Sequence, residues 1–241
     1  MKTIGLIGGM SWESSLEYYR IINEATKARL GGLHSARSIM YSVDFAEIEA
    51  LQHQERWQDA ATLMVAAAQS LERAGADFVV LCTNTMHKLA HAIEANLQIP
   101  LLHIADATAR KVQDRGMQTV GLLGTRFTME EPFYRGRLTD SHGLTVLIPN
   151  AAKHTIVHRV IYEELCLGLI NPDSRRQFIE IMDGLVDAGA EGIILGCTEI
   201  ELLVKTGDAP VELFPTTKIH AEAAVEAAIA PDEPLPRTTP S

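Results

Sequence analysis

A short segment that ends in a polar, reactive-looking residue occurs twice in this chain. Residues 74–83 read AGADFVVLCT and residues 188–197 read AGAEGIILGC, an offset of 114 residues in a chain of 241. In the ungapped alignment Thr83 stands opposite Cys197. A looser echo relates GLIGGMS at 5–11 to GLLGTRF 116 residues later. The repeat predicts two similar halves, each of which contributes a polar strand end to one shared site.

The three cysteines have different sequence surroundings. Cys197 follows an apolar run and a glycine and precedes Thr-Glu, which favours a reactive thiolate over an inert core thiol. Cys82 stands opposite Gly196, and side-chain alternation along a strand directs Cys82 and Thr83 to opposite faces. Cys166 is predicted to be a core residue of a helix. Three cysteines without a CxxC pair argue against a disulfide framework and against a zinc site.

Small and polar residues follow several of the predicted strands. In open parallel sheets, ligands bind beyond the carboxyl ends of the strands, where backbone N–H groups and hydroxyls can hold a carboxylate. The glycines of GLIGGMS do not fit the GxGxxG dinucleotide pattern, so a tight turn and a carboxylate cradle are predicted there. The segments with this character are 8–11, 83–85, 124–125 and 197–199.

Apolar runs alternate with amphipathic stretches along the chain, which predicts parallel sheets covered by helices. The predicted fold class is α/β with two pseudo-symmetric domains, each a mainly parallel sheet flanked by helices, and the active site in the cleft between them. Strands are predicted at 3–8, 38–44, 78–82, 100–104, 119–123, 145–148 and 192–195. Helices are predicted at 14–30, 56–74, 87–97, 106–115, 131–139, 153–167, 173–188 and 219–230.

The predicted domain boundaries follow from these elements. Residues 1–103 together with 212–230 are expected to form the first α/β domain, and 104–211 the second. Residues 231–241 contain four prolines and no apolar periodicity, so a disordered tail is expected there.

Composition and charge restrict the class of partner. The net charge of −10, with no basic block, argues against nucleic acid or an anionic membrane as partner. No apolar run approaches the ~20 residues that span a bilayer, and the N-terminus lacks a signal-peptide layout. A small-molecule substrate and a cytoplasmic location are expected.

Three motifs together resemble the aspartate/glutamate racemase family: GGMS at 8–11, CTNTMH at 82–87 and GCTE at 196–199. The chain is most similar to the broad-specificity or L-aspartate/glutamate-specific racemases of enteric bacteria, and the similarity extends over all but the proline-rich tail. The resemblance implies a cofactor-independent, metal-free, homodimeric isomerase of amino-acid metabolism. In such enzymes one thiolate removes the Cα proton and a second thiol returns a proton to the opposite face.

The sequence departs from this pattern because Thr83 occupies the place of the first family cysteine. We hypothesise that Cys197 deprotonates the L-enantiomer and that Thr83 serves the opposite face, so that L-substrates are preferred kinetically. The resemblance also implies a set of substrate contacts. The α-carboxylate would be held by Met10, Ser11, Asn84 and Thr85. The amino group or the far end would meet Thr125, Thr198 and Glu199, and Gln52, placed in a loop, would reach the side-chain carboxylate.

Alternatives remain open at this point. Cys82 would replace Thr83 if the backbone shifted. Independently of that choice, the chain is also compatible with a related cofactor-free enzyme, such as a maleate isomerase, a hydantoin racemase or a malonate decarboxylase, or with a non-catalytic amino-acid sensor. The apolar helix at 56–74 is the expected dimer interface.

Overall fold

The computed structural model describes residues 1–230, so the tail predicted at 231–241 lies outside the described residues. The chain divides into two compact units. The first consists of Met1–His103 together with the described chain from His220 onward, and the second is Ile104–Ile219. No helix within residues 1–230 is long and apolar enough to cross a membrane.

The first unit is built on a four-stranded parallel sheet in the order β2-β1-β3-β4. Its strands are β1 Ile4–Gly8, β2 Ser38–Ser42, β3 Phe78–Leu81 and β4 Leu101–Leu102. Its helices are α1 Trp12–Leu30, α2 Phe45–His53, α3 Trp57–Arg73, a 3-10 helix Thr85–Leu89 and α4 Ala90–Glu94.

The second unit repeats this plan, with a parallel sheet in the order β6-β5-β7-β8. Its strands are β5 Thr119–Gly124, β6 Thr145–Leu147, β7 Gly192–Gly196 and β8 Glu212–Pro215. Its helices are α5 Ile104–Gln113, α6 Arg126–Glu130, α7 Pro132–Gly136, a π-helix Arg137–Ser141, α8 Ala151–Glu163, a 3-10 helix Leu165–Leu167, α9 Pro172–Asp187 and α10 Ile200–Leu203. Helix α11, Thr216–Ile229, contains the second unit boundary.

The internal repeat of the sequence corresponds to a repeat of strand register. In the first unit Ile4 pairs with Phe78, and in the second Val120 pairs with Gly192. These pairs carry the 116- and 114-residue offsets of the sequence. The α/β prediction with two related parallel sheets is therefore confirmed, and equivalent strand ends occupy equivalent places in the two units.

The sheet of the first unit is buried on both faces, because alternate residues enter different cores. Val79 and Leu81 of β3 join a cluster with apolar residues of α2 and α3. Phe78, Val80 and the following Cys82 join a second cluster with residues of α1 and α11. Two-sided burial explains why β3 is a continuous apolar run.

Two expectations were wrong in detail. Residues 212–219 belong to the second unit, not the first, because β8 hydrogen-bonds to β7. The stretch predicted as one helix at 131–139 is divided between two short helices, α7 and the π-helix Arg137–Ser141. The apolar face of α3 packs in the core of its own unit, and the dimer interface expected on this helix stays a prediction.

Candidate active site

At the end of β3, Cys82 and Thr83 have opposite environments. Cys82 is 0% exposed within the apolar cluster shared with α1 and α11. Burial raises the pKa of its thiol. Thr83 is half-buried, and its N–H donates to the Leu81 carbonyl at 2.8 Å as the chain leaves the sheet. The two residues therefore differ in burial, as the predicted alternation requires, and Cys82 packs as a core residue.

The turn after β1 is stabilised by side-chain hydroxyls. Gly9 has a φ of 92°, and its N–H donates to Ser15 Oγ at 2.7 Å. Ser15 Oγ donates in turn to the Ser11 carbonyl at 3.0 Å, and the Met10–Ser11 peptide bond is cis. Ser11 is the N-cap of α1, with its Oγ accepting from the Ser14 N–H. The predicted tight turn is present, and it places Ser11 at the N-terminus of a long helix.

Other residues predicted to contact substrate in the first unit are more deeply placed. Met10 packs in the core beside α2 and α3, while Asn84 and Thr85 are buried next to Thr83. Gln52 lies in α2 and not in a loop, and its Nε2 donates to Met86 Sδ at 2.9 Å. Its contact with a substrate carboxylate stays a prediction, now with a competing structural partner.

Cys197 follows β7, and its thiol donates to Glu199 Oε2 at 2.9 Å. The Cys197 side chain is 8% exposed. Burial, the negative charge of Glu199 and the nearby Cys166 thiol all raise the Cys197 pKa well above its usual value. In this pair the Cys197 thiol is the hydrogen-bond donor and Glu199 Oε2 is the acceptor. Such a pair can hold or pass a proton, which the sequence motif alone did not indicate.

The remaining candidates of the second unit lie at the same sheet edge. Thr125 is buried and caps α6, where its Oγ1 accepts from the Thr128 N–H at 3.3 Å. Thr198 is half-buried, and its hydroxyl contacts that of Thr217 at 2.8 Å. Gly124 and Gly196 pair between β5 and β7. A Cβ on Gly196 would lie only 2.9 Å from the Leu123 carbonyl oxygen, so glycine permits this close approach.

Each unit therefore presents one of the two candidate proton-transfer residues after the carboxyl end of its third strand, Thr83 in one and Cys197 in the other. Hydroxyl-capped turns follow the neighbouring strands β1 and β5. Within residues 1–230 no cluster of three His, Cys, Asp or Glu side chains is suited to hold a metal ion. The geometry of both edges suits proton transfer and carboxylate binding.

Comparison with known proteins identifies the family. The model of the Asp/Glu/hydantoin racemase family matches residues 7–224. The chain belongs to this family. As a member it is a racemase, an isomerase that does not depend on pyridoxal phosphate.

Solved structures and a curated relative agree with this assignment. A candidate Asp/Glu racemase from Yersinia pestis is 56% identical, with 95% of this chain and 100% of that chain covered and a TM-score of 0.91. An aspartate racemase homologue from Pyrococcus horikoshii OT3 is 35% identical, with coverages of 95% and 99% and a TM-score of 0.82. The broad specificity amino-acid racemase RacX of Bacillus subtilis is 21% identical over 69% of this chain and 71% of its own length.

Proposed function

We propose that this racemase acts on aspartate and glutamate by two-base proton transfer at Cα, without a cofactor. Cys197 serves the L-enantiomer and Thr83 serves the opposite face. The observation that carries the proposal is the contrast at the end of β3, where Thr83 is half-buried and Cys82 packs in an apolar core. The family resemblance calls for a proton-transfer group at this strand end, and Thr83 is the residue whose side chain leaves the core.

On the Cys197 side the reaction begins with a proton shift inside the thiol–carboxylate pair. The Cys197 S–H bond breaks as Glu199 Oε2 gains the proton across their 2.9 Å hydrogen bond. The thiolate then takes the Cα proton of the L-substrate, which leaves a carbanion and a neutral thiol. The raised pKa of Cys197 makes its thiolate scarce at neutral pH and a strong base once formed. Glu199 is thereby proposed as a proton acceptor in addition to a substrate contact.

On the opposite face Thr83 Oγ1–H donates a proton to the carbanion, and the resulting alkoxide regains a proton from water. The Glu199 carboxyl group releases to water the proton that it took from Cys197, which restores both resting groups. A threonine hydroxyl is a far weaker acid than a thiol, so its basic alkoxide form is almost absent near neutral pH. Removal of the Cα proton by Thr83 is therefore the harder direction. This inequality is the physical reason for a kinetic preference for L-substrates.

Substrate binding is proposed to use the turns at the two sheet edges. Hydroxyls and backbone N–H groups at helix N-termini favour carboxylates. The α-carboxylate is assigned to Met10, Ser11, Asn84 and Thr85, with the backbone of Met10 in place of its buried side chain. The amino group or far carboxylate is assigned to Thr125, Thr198 and Glu199.

We also propose that the protein is a cytoplasmic homodimer. Its three cysteines are free thiols, which agrees with a reducing compartment.

Helix α1 exposes Trp12, Leu16 and Tyr19 at the spacing of a single helical face, which we propose as the dimer interface. Leu16→Glu should shift the mass measured by light scattering from that of a dimer to that of a monomer. Leu63→Glu, at an exposed position of α3, should leave the mass unchanged. Monomeric wild-type protein would contradict the proposal.

The function is tested by incubating the metal-free and pyridoxal-free protein with each enantiomer of aspartate and glutamate in heavy water. Proton NMR follows loss of the Cα–H signal, and polarimetry follows optical rotation. We expect exchange of the Cα–H together with loss of optical rotation. Both should be faster from the L-enantiomers when each substrate is at saturating concentration, and both should be absent in Cys197→Ser. An absence of exchange from every enantiomer would contradict the racemase assignment for these substrates and favour a different substrate or a sensor.

A further inference from the structure

His87 bonds to the backbone of the residue proposed to act as one of the two proton-transfer groups. Its Nδ1 lies 2.7 Å from the Thr83 carbonyl oxygen. A carbonyl oxygen only accepts, so Nδ1 must carry the proton in this contact. We propose, on the basis of the proposed function, that His87 is a positioning residue that sets the orientation of Thr83 for proton transfer.

The contact fixes a peptide plane that two functional candidates share. Because a trans peptide is planar, its C=O and N–H groups point in opposite directions. With the Thr83 carbonyl directed at His87, the N–H of Asn84 is directed away from it. The single hydrogen bond from His87 therefore fixes both the direction of the Thr83 carbonyl and the direction of the Asn84 N–H. The 3-10 helix that carries His87 adds a second tie, since the His87 N–H donates to the Asn84 carbonyl at 3.0 Å.

The His87 ring is itself held by a buried group of aromatic and imidazole side chains, which we name the histidine cluster: His87, His103, His220 and Tyr18. The His87 ring centroid lies 4.5 Å from that of His103 and 5.7 Å from that of His220. His220 Nε2 donates to the Leu102 carbonyl at 2.8 Å, which leaves its Nδ1 to accept from the Tyr18 hydroxyl at 2.8 Å. All four side chains are buried.

The histidine cluster ties three parts of the first unit to the Thr83 turn. Tyr18 belongs to α1, His220 to α11, and His103 follows β4. Buried polar networks with satisfied hydrogen bonds are rigid. The ring of His87 is therefore a fixed reference against which the Thr83 carbonyl is placed.

Loss of this reference has a specific consequence for the proposed reaction. A displacement of about 1 Å in a reacting group can cost roughly 10²-fold in rate. Removing the His87 donor displaces Thr83, whereas Cys197 lies in the other unit and keeps its contact with Glu199. The step on the Thr83 face should slow, and the step on the Cys197 face should not.

The test measures the two faces separately with L-aspartate in heavy water. Exchange of Cα–H with retained configuration reports proton removal and return by Cys197, and formation of the D-enantiomer reports delivery by Thr83. In His87→Leu we expect inversion to fall by about 10²-fold while exchange with retention stays within a few-fold of wild type. Tyr18→Phe is the matched control, because it removes one hydroxyl from the histidine cluster but keeps the aromatic ring and the His87–Thr83 hydrogen bond, so its ratio of inversion to exchange should stay close to that of wild type.

Two further variants separate positioning from folding. The amide of His87→Asn can occupy the place of Nδ1 and donate to Thr83, so it should recover most of the inversion, whereas His87→Gln places its amide nearer the Nε2 position and should not. Equal inversion-to-exchange ratios in the Asn and Gln variants, or equal losses of both processes in His87→Leu, would overturn the positioning role. If wild-type protein shows no exchange at all, the proposed function fails instead.

Discussion

Replacing Cys82 and Thr83 one at a time decides which of the two serves the face opposite Cys197. Cys82→Ala removes one sulfur atom from a fully buried site in the cluster with α1 and α11. The lost transfer free energy and the residual cavity together cost about 1–2 kcal/mol. Alanine is a cleaner choice than serine, because a serine hydroxyl would be buried among apolar side chains without a partner.

That loss leaves the native state dominant. Even at the low end of typical stabilities, about 5 kcal/mol, the remaining 3 kcal/mol keeps roughly 1% or less of the protein unfolded. Thermal unfolding should shift down by about 2–8 °C for a protein of this size. Inversion of L-aspartate per mole of Cys82→Ala enzyme should stay within twofold of wild type at 25 °C.

Thr83→Ala should behave in the opposite way. Its side chain is half-buried, so the change in unfolding free energy should be only about 0.5 kcal/mol. Loss of a general acid on one face should reduce inversion by roughly 10²–10⁴-fold. Thr83→Ser, which retains the hydroxyl, is the control and should keep most of the activity. Inversion lost in Cys82→Ala with an intact melting transition, and retained in Thr83→Ala, would refute the assignment.

Three other changes test separate parts of the structure. Glu199→Gln removes a negative charge that, after burial, is the largest factor raising the Cys197 pKa. The ultraviolet absorbance of the Cys197 thiolate should therefore develop at lower pH than in wild type. An unchanged titration would contradict an effect of Glu199 on Cys197. Burial alone would raise the Asp106 pKa, but the hydrogen bonds and charges of Arg137 and His142 outweigh it, so the pKa is lowered. The stabilisation from these contacts is therefore fully present above the unfolded-state pKa of about 3.9 and is lost as the pH falls through the folded-state pKa. Asp106→Asn should cost about 1–3 kcal/mol in urea unfolding at neutral pH, with a difference from wild type that shrinks in acid. Gly9→Ala would place a Cβ 2.2 Å from a backbone oxygen and should cost more than about 2 kcal/mol, whereas Gly75→Ala, with similar positive φ and open space, should cost less.

The repeat made the central strands and their ends predictable from sequence. β3 and β7 are buried on both faces, so each is a continuous apolar run that ends at the same place in the 114-residue repeat. Side-chain alternation then distinguished Cys82 from Thr83. These inferences needed only the local sequence, because the pattern of apolar and polar residues along a strand reflects which of its side chains are buried.

Other elements depend on contacts or caps that the apolar pattern does not carry. β8 is a short strand whose last residue is Pro215, and it is defined by pairing with its neighbour β7. α2 follows an Asp44 N-cap whose carboxylate accepts from the Ala46 N–H, a local signal that is independent of apolar periodicity. The Cys197–Glu199 contact joins residues two apart in a turn, where neither helical nor strand periodicity applies.

Likewise, the position of His87 in the CTNTMH motif indicates no partner by itself. Four residues separate it from Thr83, but the short 3-10 helix that brings its ring back to the Thr83 carbonyl forms within a buried setting. The sequence therefore predicts a core histidine, and the hydrogen bond shows what it is attached to.

The two halves share strand order and register but differ in the partner of each proton-transfer residue: a carboxylate for Cys197 and a histidine-held backbone for Thr83. Thermodynamics limits how far this difference between the two proton-transfer residues can make the kinetics of the two enantiomers differ. Because the free amino-acid enantiomers have equal free energies, kcat/KM must be equal for L- and D-substrate in a reversible racemase. A weaker base on the Thr83 face can therefore lower kcat for the D-enantiomer only if its KM falls by the same factor. Initial rates over a range of concentrations of both enantiomers should show faster saturated turnover from L-substrate and coincident slopes at low concentration.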